Sequence, residues 1–360
     1  MPANTDYKFF ATSAQAWEGM LKALAEARHS IYWETYIFEA DEIGQKFIKI
    51  LKEKAHAGLE VKLILDGFGS AKITEEIIKD LKGSGVDVLY FNPIKIFSFW
   101  RGLRHFFERT HRKFLIIDRR IAFIGSVNVQ DVIANWLDLQ IMVEGPIVNQ
   151  LLKAFSRSYL ISGGALEKIK HLFYLPIIKE KKWRILWHKP LNNFSIIRKQ
   201  YLKAIKMAQI SLILVVPYFL PDPGFLKALR EAKKRGVNVQ IILPWETDHV
   251  ILTYAMRSYW VLWASLGFKI FLVKKMIHAK AILIDDKWAM VGSSNVDAQT
   301  FYRNHEINLI FTDKKMIMNL KNIFLDWKKK SRLFRPIKWS QRSFRSHLWE
   351  FLAKLLEPFL

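Results

Sequence analysis

Two stretches of this chain are written to one plan. "HRKFLIID" (His111–Asp118) and "HAKAILID" (His278–Asp285) each give His-x-Lys, four further residues and Asp. Each is followed by Gly-Ser-x-Asn, as "GSVN" (Gly125–Asn128) and "GSSN" (Gly292–Asn295), and the interval from His to Asn is 17 residues in both. One such match can arise from composition, but two with the same appended tetrapeptide mark a duplication. The chain is therefore expected to fold as two copies of one unit.

The flanks carry the same order of parts. "SIYWETYIF" (Ser30–Phe38) reads as a strand, and the helix after it, Ile43–Ala57, repeats Ile43, Phe47, Leu51 and Ala55 along one face. A buried strand from Val61, a helix from about Ile73 and a strand from Val86 lead to the first motif. The second half runs from a strand at Ser211 through the helix "GFLKALREAKKRG", a strand at Val239, a helix over Val250–Leu266 and "FKIFLV" to the second motif. In both halves a helix stops at glycine, Gly58 or Gly236, and feeds an apolar strand, as strands covered on both faces require. This predicts an α/β fold of two similar units, 1–165 and 193–335. They are joined by a connecting segment, 166–192, that contains Pro176 and Pro190, and are followed by a basic amphipathic C-terminal helix over 336–360.

"FLII" and "AILI" read as short buried strands with hairpin partners "IAFIG" and "WAMVG", which gathers the His, Lys and Asn of each motif near strand ends. His111 and Lys113, like His278 and Lys280, are two residues apart, so on a strand they face the same side. Asp138, 27 residues after His111, and Glu306, 28 after His278, give each histidine a candidate carboxylate to orient its ring. The remaining histidines, His29, His56, His105, His171, His188, His249, His305 and His347, read as structural. Ser126, Ser293 and Ser294 read as turn-forming or phosphate-contacting residues.

Charge and composition narrow the partners. With 56 Lys+Arg against 33 Asp+Glu the formal charge is +23, spread along the chain, which points to nucleic acid or an anionic membrane surface. There is no cysteine, so disulfides, thiolate metal sites and Cys nucleophiles are excluded. "MPANTDYKFF" has no signal-peptide pattern, and no apolar run is long enough to span a bilayer, so membrane contact is expected to be peripheral.

The doubled motif resembles the phospholipase D superfamily and, within it, bacterial cardiolipin synthases of the type without N-terminal transmembrane helices. The phrases that carry the resemblance cover most of the chain, among them "YIFEADEIGQKFIKILKEKAHAGLEVKLILDGFGS", "HRKFLIIDRRIAFIGSVNV", "VPYFLPDPGFLKALREAKKRGVNVQIILP" and "HAKAILIDDKWAMVGSSNVDAQTFYRNHE". Gln299 departs from the pattern, standing where arginine is usual. The resemblance implies mixed sheets flanked by helices, a pseudo-twofold, and one active site shared by both halves, because both histidines must reach one phosphorus. It further implies His111 as nucleophile, forming a phosphohistidine, and His278 as general acid and then base. Lys113, Lys280, Asn128 and Asn295 would surround the phosphoryl oxygens, with Asp118 and Asp285 bracing the motifs through their lysine or backbone. No metal or other cofactor is implied, since the lysines take the phosphate-clamping role and no carboxylate cluster accompanies them.

The implied reaction moves a phosphatidyl group to the glycerol hydroxyl of phosphatidylglycerol, with phosphatidylglycerol or phosphatidylethanolamine as donor, at the surface of the bacterial inner membrane. The alternatives are a metal-independent phospholipase or nuclease, for which nucleic acid would be the partner, and a catalytically silent membrane-binding protein. Two flanks favour lipid. "YFNPIKIFSFWRGLRHFFERTH" interleaves Phe97, Phe99, Trp100, Phe106 and Phe107 with Arg101 and Arg104, and "SFRSHLWEFLAKLLEPFL" sets Phe344, Leu348, Phe351, Leu352, Leu355 and Leu356 on one helical face behind basic "KKKSRLFRPIK". That helix could equally dock on the protein's own core.

Overall fold

A computed structural model describes residues 6–93, 108–176, 180–189, 194–339 and 344–356. The aromatic and basic run Phe97–Phe107 lies outside the described residues.

In the N-terminal half the strands are β1 (Asp6–Thr12), β2 (Ser30–Thr35), β3 (Glu60–Asp66), β4 (Asp87–Phe91), β5 (Arg109–Thr110), β6 (Phe114–Ile117), β7 (Ile121–Gly125) and β8 (Leu137–Glu144). The C-terminal half follows with β9 (Trp183–His188), β10 (Ser211–Val215), β11 (Asn238–Pro244), β12 (Lys269–Val273), β13 (Ala281–Ile284), β14 (Trp288–Gly292), β15 (Asn304–Phe311) and β16 (Ser331–Leu333). They form a seven-stranded sheet, β1-β8-β7-β6-β2-β3-β4, and a nine-stranded one, β16-β12-β11-β10-β13-β14-β15-β5, with β9 also on β15. Both sheets are mixed: β2-β3-β4 and β10-β11-β12 run parallel, and the hairpins β6-β7 and β13-β14 are antiparallel.

The sheets bury a common core. One face of each, with the helices Val148–Ile161 and Lys314–Lys329, fills a cluster that includes Phe114, Ile141, Phe155, Leu283, Leu309 and Phe324. The outer faces are covered by Ser13–Ala25, Glu42–His56 and Glu75–Gly83 on the N-terminal side, and by Ile196–Met207 and Pro223–Lys234 on the other. Burial on both faces explains why the central strands read as unbroken apolar runs.

Two expectations need correcting. The connecting segment is not only a connector, because Trp183–His188 becomes β9, antiparallel to β15. The helix expected over Val250–Leu266 is two helices, Val250–Arg257 and Trp260–Ser265. Within the first unit, β1 lies antiparallel to β8 and is followed by a helix.

The glycines that close β7 and β14 are fixed by close approach. A Cβ on Gly125 would stand 2.2 Å from the Leu139 carbonyl oxygen, and one on Gly292 would stand 2.3 Å from that of Ile307. Gly292→Ala is therefore expected to displace β15 and cost about 1–3 kcal/mol in urea unfolding. Gly83→Ala, at a helix position with nothing within 4 Å of the added carbon, should instead gain up to about 1 kcal/mol. Equal effects of the two substitutions would remove the packing explanation.

Candidate active site

Each motif is built by a hairpin and completed by the other half. Asp118 and Asp285 sit in the hairpin turns with left-handed backbones, φ 53° and 52°, a conformation that a short acidic side chain tolerates. Asp118 accepts the backbone N–H groups of Arg28, His29 and Ser30, and Asp285 accepts those of Gln209, Ile210 and Ser211. The bracing is thus through backbone and not through the motif lysines. Neither aspartate lines the cleft described below; a four-residue strand, roughly 13 Å long, carries each away from its lysine.

At the opposite ends of β6 and β13 the histidines meet, and they meet strands of the other half. β15 runs parallel to β5, and the His305 carbonyl accepts the His111 backbone N–H at 2.9 Å. Correspondingly, the Leu137 carbonyl, at the start of β8, accepts the His278 N–H at 2.7 Å. The next residue on each strand is the carboxylate. His111 Nδ1 lies 3.0 Å from Glu306 Oε1, and His278 Nδ1 lies 2.9 Å from Asp138 Oδ2. The intervals in the sequence pair Asp138 with His111 and Glu306 with His278; the structure crosses these pairs, because each carboxylate strand is hydrogen-bonded beside the other half's motif.

The serines of the Gly-Ser-x-Asn turns serve the same carboxylates. Ser126 Oγ donates to Asp138, and Ser293 Oγ to Glu306, so their role is to hold the orienting acid. The turns are themselves pinned by buried aromatics, Trp17 Nε1 on the Asn128 carbonyl and Tyr201 OH on that of Ser294. Asn128 and Asn295 line the cleft, and their side-chain oxygens are buried without a hydrogen-bond partner among the described residues.

Lys113 and Lys280 are buried beside the histidines, and each donates to the backbone carbonyl of its own histidine, at 2.8 and 2.7 Å. Lys280 Nζ also lies 2.9 Å from His278 Nε2. Burial, reinforced by the Lys280 charge, holds the Lys113 ammonium well below its ordinary range, and burial brings Lys280 down to about 8. Glu306 and Asp138 partly offset the cost of burying both ammonium groups, and an anion bound beside them would offset it further.

The two histidine pairs differ electrostatically. Burial, with the Lys113 and Lys280 charges, pushes the His111 imidazole well down, and burial raises its partner Glu306 to about 7. Burial and Lys280 also lower His278. Burial acts to raise Asp138, but His278, Lys280 and Ser126 together hold it below the usual carboxylate range. Behind Glu306 stands a polar network that, among the described residues, the other half does not repeat. Arg112 donates to Ser158 Oγ, to the His188 carbonyl and to the Glu306 carbonyl, while Glu34 accepts from Thr110 and Asp66 from the Thr110 N–H. Strand register and motif position put Val215, Ile277 and Ala279 where Glu34, Thr110 and Arg112 stand.

Both histidines open on one cleft of about 220 Å³ between the halves. Its walls include residues that duplication did not flag: Tyr36, Tyr218, Asp248, His249 and Asp297. Tyr36 stands edge-on to His111 and Trp136 lies against His278, with ring centroids 5.0 and 5.6 Å apart. Asp248 accepts from Tyr218 OH, and burial raises Asp297 to about 6. Gln299 also lines the cleft and donates to Asn304. His305 pairs with Glu108 behind the site, in keeping with a structural role.

A duplicated α/β fold whose halves exchange carboxylates to build one two-histidine, two-lysine site defines a class of phosphoester-handling proteins. Residues 20–158 and 201–327 match the family described as "Cardiolipin synthase, PLD-like domain", and the chain belongs to this family. It is 31% identical over 350 residues to a cardiolipin synthase of Geobacillus thermodenitrificans, covering 94% of this chain and 69% of that one. It is 30% identical over 370 residues to one of Halalkalibacterium halodurans, covering 99% and 73%. Among solved structures, the phosphatidylserine synthase of Haemophilus influenzae superposes with a TM-score of 0.76 at 15% identity, over 98% of this chain and 92% of that one, a likeness of fold.

The raised Glu306 pKa makes a stability prediction. Between the unfolded value near 4.5 and about 7 the folded state holds a proton that the unfolded state has lost, so this residue's contribution falls as pH rises through that window. Glu306→Gln cannot titrate there, so its melting temperature relative to the wild type should climb from pH 5 to pH 8. A difference that stays flat with pH would mean that Glu306 is ionised throughout.

Proposed function

We propose that this protein is a cardiolipin synthase-type phosphatidyltransferase working through a phosphohistidine. The observation that carries the reading is the crossed pair of His–carboxylate contacts opening on one cleft above two buried lysines. A phosphodiester is a weak electrophile with a poor leaving group, so it needs a nucleophile and a proton donor on opposite sides of one phosphorus.

The electrostatic difference between the halves supports His111 as nucleophile. Its imidazole is held unprotonated, with Nδ1 against Glu306, and Nε2 attacks phosphorus to form the P–N bond. The bond from phosphorus to the departing headgroup oxygen breaks as His278 Nε2 gives that oxygen a proton. Ionised Asp138 at Nδ1 favours the imidazolium this role requires. Lys280 donates to His278 Nε2, so a phosphodiester must draw the ammonium onto its own oxygens before Nε2 can carry a proton. Lys113, Lys280, Asn128 and Asn295 then stabilise the pentacoordinate phosphorus. In the second step the glycerol hydroxyl of phosphatidylglycerol gives its proton to His278 and displaces His111, yielding cardiolipin.

The phosphatidyl donor is phosphatidylglycerol or phosphatidylethanolamine, and the enzyme acts at the surface of an anionic membrane, in bacteria the inner membrane. Among the described residues no helix is long and apolar enough to cross a bilayer, which suits access from the surface. The net charge of +23 suits an anionic interface.

Purified protein with phosphatidylglycerol vesicles, with and without phosphatidylethanolamine and with a chelator throughout, should make cardiolipin, followed by mass spectrometry. Phosphatidic acid alone would mean a hydrolase, and turnover of single-stranded DNA but not lipid would mean a nuclease. The roles separate on a p-nitrophenyl phosphodiester, whose leaving group needs no proton. His278→Ala should keep a burst of nitrophenol of about one equivalent, whereas His111→Ala should lose it, and the reverse pattern would exchange the two roles.

A further inference from the structure

The helix Val250–Arg257 belongs to two sites at once. His249, at its N-terminal cap position, and Leu252 line the catalytic cleft. Val250, Ile251 and Tyr254 line a second groove of about 390 Å³, whose other wall is Trp349, Leu352 and Ala353 of the C-terminal helix Phe344–Leu356. The second groove is lined by aliphatic and aromatic side chains and by no charged one.

The C-terminal helix is docked, but by its narrow side. Ala353 and Glu350 are buried, Trp349 packs on Tyr254, and Lys354 Nζ sits over the Tyr259 ring. Leu348, Phe351, Leu352 and Leu355, spaced at i, i+3, i+4 and i+7, are 40–59% exposed. A helix that docked only to complete the protein's own core would turn this stripe inward. The apolar surface continues across the groove onto the exposed Val250 and Ile251, and an exposed apolar patch of this kind is one that a soluble surface seldom carries without a partner.

We propose that this face enters an anionic phospholipid bilayer, with one acyl chain of the substrate lipid lying in the groove while its phosphodiester reaches the cleft. The proposal rests on the phosphatidyltransferase reading. Two observations choose lipid as the occupant. The groove and the cleft share one helix, and two residues along a helix advance only about 3 Å, so a single lipid can span both. The protein's +23 charge matches an anionic interface, where an amphipathic helix with an outward apolar stripe lies in the surface plane.

The test uses Phe351→Ser/Leu355→Ser, which alters the outward stripe and neither lining, with melting curves as a check on folding. Flotation on phosphatidylglycerol/phosphatidylethanolamine vesicles and cardiolipin formation in them should each fall at least tenfold, while turnover of a water-soluble p-nitrophenyl phosphodiester stays within twofold. Ile251→Ser, inside the groove, should lower turnover of long-chain lipid more than that of dihexanoyl phosphatidylglycerol below its micellar concentration. Unchanged flotation would overturn the proposal. So would loss of a dimer in sedimentation velocity without loss of vesicle binding, which would assign the face to a second copy. Vesicle binding is read without catalysis, so an inactive wild type would count against the transferase reading alone.

Discussion

Everything at the centre of this protein depends on two hydrogen bonds that cross between its halves, His111 to Glu306 and His278 to Asp138. They arise because β15 and the first residue of β8 are hydrogen-bonded to the backbone just ahead of the opposite motif, which puts the following carboxylate under the opposite imidazole. The halves therefore cannot separate without dismantling both pairs. The apolar cluster between the sheets, which draws on both halves, stabilises the interface that the buried ions strain. Site and interface are one construction.

Duplication gives that construction near-symmetry, and the chemistry needs it broken. A nucleophile must stay unprotonated while its neighbour carries a proton. Burial of Glu306 and the Arg112, Glu34 and Thr110 network lie on the His111 side, where the second half offers Ala279, Val215 and Ile277. On the His278 side Asp138 stays below the usual carboxylate range. Within the cleft, Tyr218 and Asp297 stand where the first half has Ile37 and Gln130, so its two ends differ in polarity too.

The doubled motif announced two α/β units, and the apolar runs located most central strands. Asp118 and Asp285 were expected as braces through the family resemblance alone, which left lysine and backbone open as their partners; the hairpin turns give them backbone N–H groups. The pairing was not legible: intervals of 27 and 28 residues are the same whichever half each acid serves, and only strand packing distinguishes the cases. β9 was hidden in a segment bounded by prolines, and it becomes a strand because β15 offers an edge. Tyr218 and Asp248 were passed over because they have no duplicate, and His249, read as structural for the same reason, lines the cleft. The C-terminal stripe was visible as periodicity, but which way it faces is decided by Ala353 and Trp349 meeting the Val250–Arg257 helix.

The central claim is the crossing, and it can be read directly from the imidazoles. Protein labelled at histidine, with His111 and His278 assigned through their alanine variants, would be titrated by NMR in the wild type, in Glu306→Gln and in Asp138→Asn. The account predicts that Glu306→Gln moves the ring resonances and titration of His111, and Asp138→Asn those of His278. If Asp138→Asn chiefly moved His111, and Glu306→Gln moved His278, each half would orient its own histidine and the shared-site architecture described here would be contradicted.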